Sequence, residues 1–372
     1  MDAPRHRIGY IDGLRAIAVL AVVASHAYPG IAFGDNSGVG MFGITFGVNL
    51  FFVISGFCLA YPTLRKLHDN GAADFDVSRY AAHRFVRIVP PYYIAIAVLY
   101  AASFFVPWVT HVSFIDVLRQ ALFLDRDTHL LTPPFWTLPI EFRWYFVFPA
   151  GLYLWARYPK VLVAIIIALV AVVPGTFLLS MDILCLPAFL AGIIAAGLHF
   201  KPNRQFTRYA LPVSVILLVA LSLRLGEPPA LMPAWQAAVF LLVVAAGSSA
   251  WLHRLLSMKW LTTIGLASYS IYLVHGPVVA FAHSRGWNPV VAGLAGVAGG
   301  FIFFLFAERP FLKGPLRSNL IGQFETFLPR WFASLGLERS FHLGKSSPIG
   351  EMHRAAAVGQ PVGQSVRNKW IR

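Results

Sequence analysis

The chain has 372 residues, of which 58% are hydrophobic and only 12% charged, with a mean hydropathy of +0.66. Soluble domains carry about twice that charged fraction, so the composition excludes an ordinary soluble protein and points to a polytopic membrane protein. Its apolar segments are long enough for helices rather than barrel strands, and the net charge of +14 fits basic residues gathered on the cytoplasmic side without any nucleic-acid partner.

Ten spanning helices are expected, at approximately 11–32, 42–61, 88–108, 135–155, 160–179, 182–199, 209–225, 234–252, 262–282 and 290–307. With the N-terminus inside, Arg65, Lys66, Arg79, Arg157, Lys160, Arg204, Arg208 and Arg254 all fall on the inner side. The outer loops hold only Arg119, Arg126, Arg224 and Arg285. That asymmetry is the positive-inside bias, and it puts both termini in the cytoplasm. The fold class is therefore an all-α membrane bundle over residues 1–317, followed by a cytoplasmic tail, 318–372. The tail is expected to be amphipathic from Phe324 to Leu337 and disordered over its polar end.

The first helix carries Arg15 and His26 within an apolar run. The basic start mimics a secretory signal, but Arg15 interrupts that pattern and apolar character continues past any cleavage point, so an uncleaved helix is expected. The two residues are eleven apart, which puts them on one helix face, about 16 Å apart along the axis. Ionisable side chains at membrane depth are costly unless they line a cavity or find partners. Arg15 is either a snorkelling arginine or a fixed positive charge suited to a phosphate or a polarised carbonyl. His26, in the outer half, is either an interfacial anchor or a general base.

In the second helix Asn49 and Ser55 read mainly as packing hydrogen bonds. Cys58 and Cys185 lie in apolar segments, so they give no sign of a disulfide framework. Arg84 and Arg87, three apart at the start of the third helix, share a face. They suit either a phosphate or anionic lipid headgroups. The outer segment 109–134 reads as the longest outer loop, with an amphipathic piece from Phe114 to Phe123. Glu141 enters with the fourth helix at a depth comparable to His26, and its partner is expected to be Arg143, His26 or another helix. His275 falls at the same depth. Glu308 and Arg309 read as a local structural pair. No zinc-type cluster, phosphate-binding glycine loop or serine nucleophile elbow is present in the sequence, which leaves general base catalysis without a metal as the simplest chemistry.

Several stretches occur together in one order: YIDGLRAIAVLAVVASHA with Arg15 and His26, GVNLFFVISGF, Arg84-Phe-Val-Arg87, FWTLPIEFRWYF, SYSIYLVH and AERPF. Over roughly residues 8–312 the chain resembles acyltransferase family 3, the integral membrane O-acyltransferases that include O-antigen, peptidoglycan and nodulation-factor acetyltransferases. The resemblance implies transfer of an acyl group, usually acetyl, from cytoplasmic acetyl-CoA to a hydroxyl of an extracytoplasmic or lipid-linked glycan, in a bacterial inner membrane. It implies that Arg84 and Arg87 grip CoA phosphates, that Arg15 seats the thioester end, that His26 is the base, and that Glu141 supports His26 or the acceptor. The chain after Phe311 is too short and polar for the fused esterase-like domain of some family members. The competing expectation is a transporter or acyl-group translocator with Arg15, His26 and Glu141 as an intramembrane relay. The sequence shows neither the internal repeat nor the paired helix interruptions that such folds often carry.

Overall fold

The computed structural model describes residues 8–28, 38–124, 130–172, 181–223, 228–334 and 340–344. Helix α1 (Gly9–Ala27) is followed by α2 (Gly38–Asn70), strand β1 (Ala72–Asp76), α3 (Val77–Ser103), the short α4 (Phe114–Ala121) and a 3-10 turn (Pro133–Trp136). Then come α5 (Thr137–Arg157), α6 (Pro159–Val172), α7 (Met181–Phe200), α8 (Arg204–Ser222), α9 (Pro228–Ser248), α10 (Ala250–Leu256), α11 (Lys259–Leu266) and α12 (Ser268–Ser284). The chain closes with α13 (Pro289–Phe303), a π-helical turn (Phe304–Glu308), α14 (Arg309–Leu312), α15 (Pro315–Ser334) and β2 (Ser340–Gly344).

Helix occupies all ten expected positions. Among the described residues, however, seven helices are long and apolar enough to cross a membrane, or eight when α11 and α12 count as one bent span. The 21-residue α5 has the length, but Glu141 and Arg143 lower its apolarity. The fifth expected span continues into residues 173–179, which lie outside the described residues.

Helix boundaries differ from expectation for local reasons. Helix α2 runs on through Pro62 to Asn70, where Gly71 takes φ 71° and its N–H bonds the Leu67 carbonyl at 2.9 Å. A left-handed glycine at this position ends a helix at little steric cost. Helix α3 starts about three turns earlier than expected because Asp76 caps it, accepting from the Arg79 N–H at 3.0 Å. The ninth expected span breaks at Ala267, with α11 and α12 inclined at 72°.

The fold is also not purely helical. Strand β1 pairs antiparallel with β2, Phe75 opposite Phe341. The tail thus returns to the bundle. Helix α15 lies on α3, with Arg317 donating to His83 at 3.0 Å, Phe324 on Phe85, and Glu325 facing Arg79 at 3.7 Å. The expected amphipathic helix is present as α15, while the polar end from 345 onward lies outside the described residues.

Helix α1 forms the axis of the core, packed by α2, α10, α11, α12 and α13, with Leu14, Ala16, Ala18 and Val19 fully buried. Small residues permit that proximity. Gly43 and Gly47 of α2, four apart, face the backbone carbonyls of Ala21 and Ala18, the close approach expected of a Gly-x-x-x-Gly face. Helices α2 and α7 cross in the same manner. A β-carbon at Gly56 would overlap the Phe189 carbonyl, and one at Gly192 the Val53 carbonyl. Gly56→Val and Gly192→Val are each expected to lower stability by about 1–3 kcal/mol, read as a lower unfolding temperature in detergent. Gly151→Val, where nothing lies within 4 Å, is expected to leave that temperature unchanged.

Candidate active site

The helices of the core surround a cavity of about 800 Å³, its open mouth included. Its wall brings together Arg15 of α1, Ser55 and Cys58 of α2, Arg84 and Arg87 of α3, Thr137, Glu141 and Tyr145 of α5, and Tyr269 and Tyr272 of α12. Four of the five site residues singled out from the sequence therefore converge on one space. The fifth, His26, lies beyond the lining.

The arginine end is held by a small network. Arg15 donates to the Cys58 sulfur at 3.6 Å and faces Asp12, one turn back, at 3.8 Å. Arg84 donates to the Cys58 carbonyl at 3.2 Å and lies over the rings of Tyr80 and Tyr145. Glu141 accepts from Ser55 and from Tyr145, both at 2.6 Å. Arg87 shares the cavity wall with Arg15 and Arg84. Three guanidiniums in one cavity suit a ligand with several negative charges.

Of the partners expected for Glu141, the structure supplies another helix, through Ser55 of α2, and neither Arg143 nor His26. Arg143 turns away toward the carbonyl of Phe123, at 3.4 Å. His26 is also out of reach, because Glu141 points inward to Ser55 and Tyr145. Ser55, read from the sequence as packing, is thus part of the site, whereas Asn49 does pack, donating to the Thr45 carbonyl at 2.7 Å. Tyr145 was legible as the i+4 neighbour of Glu141 on one helix face. Glu308 is not a local partner of Arg309. The π-helical turn carries it inward, where it is 1% exposed and accepts from the Ser270 hydroxyl and N–H at 2.6 and 3.2 Å. Arg309 remains exposed.

His26 sits at the far end of α1 beside His275. Its Nδ1 lies 2.9 Å from the Val22 carbonyl, an acceptor only, so Nδ1 carries a proton and the neutral ring presents its lone pair at Nε2. His275 is oriented the same way. Its Nδ1 donates to the carbonyls of Ile271 and Tyr272, and its Nε2 stands 3.4 Å from His26 Nδ1. The rings meet edge to face at 5.0 Å. The link to the cavity is Tyr272, which lines it, shares a 2.7 Å hydrogen bond with Thr137 and lies tilted beside His275, ring centres 6.1 Å apart. The sequence placed His275 level with His26, and the structure puts the two in contact.

A family model described as an acyltransferase domain matches residues 8–308. The chain belongs to acyltransferase family 3. It is 24% identical over 412 residues to the peptidoglycan O-acetyltransferase OatA of Listeria monocytogenes, covering 95% of this chain and 61% of that protein. It is 23% identical to a Staphylococcus aureus (strain MRSA252) protein named "Putative O-acetyltransferase SAR0937", covering 84% of this chain and 59% of that protein. The chain thus spans about three fifths of the length of these relatives. No solved structure matches it.

The two cysteines of the family domain offer a check on the cavity that needs no substrate. Cys58 is partly exposed at the cavity wall, while Cys185 is 2% exposed in the core. A small membrane-permeant maleimide is expected to label Cys58 and spare Cys185, read by peptide mass spectrometry. Failure to label Cys58 would mean that the cavity is not open as described.

Proposed function

We propose that this protein is a membrane O-acyltransferase that moves an acyl group, acetyl as the first expectation, from acyl-CoA to a hydroxyl of a glycan. Membership of the family and the names of the relatives support acyl transfer; the residues supply the roles. The observation that carries the reading is the division of one axis into two ends. Arg15, Arg84 and Arg87 converge at one end, and His26 offers an unprotonated Nε2 at the other. The arginine end faces the cytoplasm in this reading, and the host membrane is the bacterial inner membrane.

In this reading the arginines hold the phosphates of CoA, bidentate where two guanidiniums share a phosphate. Arg15 stands with Arg84 around Cys58, so it belongs to the phosphate-holding group more than to the base. Glu141 fixes Tyr145 and Ser55 and offsets part of the cationic charge. The extended pantetheine arm runs past Tyr272 and covers a gap of about 15 Å set by the rise of α1. His26 Nε2 takes the proton from the acceptor hydroxyl. The hydroxyl oxygen bonds to the thioester carbonyl carbon, the carbon–sulfur bond breaks, and the thiolate leaves with the proton returned by the imidazolium. The acceptor is an extracytoplasmic or lipid-linked glycan, as the name of the Listeria relative suggests by analogy.

Transfer is testable in inverted vesicles with labelled acetyl-CoA and extraction of the glycan fraction. His26→Ala is expected to lower the rate by about 10²–10⁴ with CoA binding retained. Arg84→Ala together with Arg87→Ala is expected to raise KM for acetyl-CoA instead. Full activity in His26→Ala would remove the base assignment, and no label in wild type would return the transporter reading to the front.

His275 gives a second, sharper test. It acts through His26 by presenting a lone pair to the Nδ1–H that must stay in place while Nε2 gains a proton. His275→Phe keeps an aromatic ring but loses that acceptor, and is expected to cut kcat at least tenfold with KM for acetyl-CoA unchanged. His275→Gln, which restores an acceptor near the same point, is expected to recover most of the rate. Equal losses in both variants would make His275 a packing residue only.

A further inference from the structure

Helix α4 is built the wrong way round for a helix lying in water. Two of its polar residues face the protein, since Asp116 is 8% exposed and Gln120 1%, while Arg119 is exposed and paired back to Asp116. Apart from buried Val117, its large apolar residues face outward. Phe114, Ile115 and Leu118 are 61%, 62% and 46% exposed, and Leu122 and Leu124 just beyond it are 63% and 64% exposed. A helix on a water-facing loop presents the opposite pattern, and a contiguous apolar patch of this kind marks a contact surface.

We propose that α4 is seated in the bilayer, with phospholipid acyl chains covering this face. The chain already places its spanning helices in lipid, and Phe105, just past α3, the candidate span that ends at Ser103, is likewise 86% exposed. The inward face needs no water. Ser113 caps the helix by accepting from the Asp116 N–H at 3.2 Å, and Asp116 accepts from Arg119 at 3.2 Å. Gln120 donates to the Asp116 carbonyl at 3.2 Å and accepts the Leu131 N–H at 3.1 Å, while its own carbonyl accepts from Tyr92 at 2.9 Å. A polar face satisfied inside the protein and an apolar face turned out is the arrangement a hydrocarbon surroundings requires.

The placement has a functional consequence. Gln120 holds Leu131, and the chain then passes within a few residues to the Pro133–Trp136 turn and to Thr137, which walls the cavity beside Tyr272. A helix fixed in the bilayer therefore braces one wall of the cavity, at the end nearer the histidine pair. The amphipathic piece of the segment read from the sequence as the longest outer loop is a membrane-embedded element.

The test is fluorescence quenching in the full-length protein. A genetically encoded fluorescent amino acid replaces Leu118 in one variant and Leu122 in another, with Arg65 as the aqueous control position. Each protein is reconstituted in phosphatidylcholine vesicles, with or without brominated acyl chains. At Leu118 and Leu122, brominated lipid is expected to remove most of the emission and aqueous iodide very little, with the reverse at Arg65. Quenching by iodide at both α4 positions would put the helix in water. Resistance to both quenchers would mean that a second copy of the chain covers the face. Either result would overturn the proposal, and neither bears on acyl transfer.

Discussion

Three guanidiniums inside an apolar bundle are the constraint around which this protein is arranged. A charge at membrane depth costs several kcal/mol when it stands alone, and three of one sign add their mutual repulsion. The compensation comes from elements far apart in sequence. Asp12 lies one turn from Arg15 on α1, Glu141 arrives on α5, and Glu308 is turned inward by the π-helical step after α13. The aromatic faces of Tyr80 and Tyr145 take part of the Arg84 charge. Each carboxylate is itself tied down, Glu141 by Ser55 and Tyr145, and Glu308 by Ser270. Removing one partner from such a set strands a charge, which costs more than the pair contributes. The network thus holds a site open for an anion while keeping the bundle intact.

The same constraint explains two irregularities. A straight ninth span would carry α11 and α12 past the cavity as one rod. The 72° bend at Ala267 instead brings Ser268, Tyr269 and Tyr272 to its wall. The π-helical turn performs the equivalent adjustment for Glu308, adding the offset that swings a carboxylate from the exposed side of Arg309 into the interior. Broken or over-wound helix at membrane depth is tolerated where it is buried in protein or lines a cavity, and both breaks are found there.

Much of this was legible in the chain itself. Hydropathy located helix at every expected position, because spanning length and apolarity are local properties. The three-residue spacing of Arg84 and Arg87 and the single helix carrying Arg15 and His26 follow from helical geometry alone, and they survive in the structure. Partnership was not legible. Depth estimates put Glu141 level with His26, yet a depth leaves the direction of a side chain open, and Glu141 turns to Ser55 and Tyr145. The exposed side of Phe114–Ala121 was equally hidden, since an amphipathic pattern reads the same whether its apolar face meets protein or lipid. The β1–β2 pairing joins strands more than 260 residues apart in sequence, Ala72 opposite Gly344. No local signal announces such a pairing. The caps at Asp76 and Gly71, by contrast, were visible signals that the hydropathy pattern outweighed.

The separation between the two ends of α1 has a consequence for any reaction run here. Among the described residues no hydrogen bond joins Glu141 or the arginines to His26; apart from α1 itself, the ring of Tyr272 against His275 links the two ends. The direct contacts of His26 are the Val22 carbonyl and the His275 lone pair, and the arginine end reaches it only through space. The two ends must be coupled by the ligand. A donor with its anionic group among the arginines and its reactive carbon an arm's length away satisfies both, and a short anion does not, because it leaves the histidine end without an electrophile. The geometry thus favours a long, flexible, anionic ligand over a small anion. The buried, closely packed α1 sets the spacing between Arg15 and His26, the spacing that the proposed donor would span.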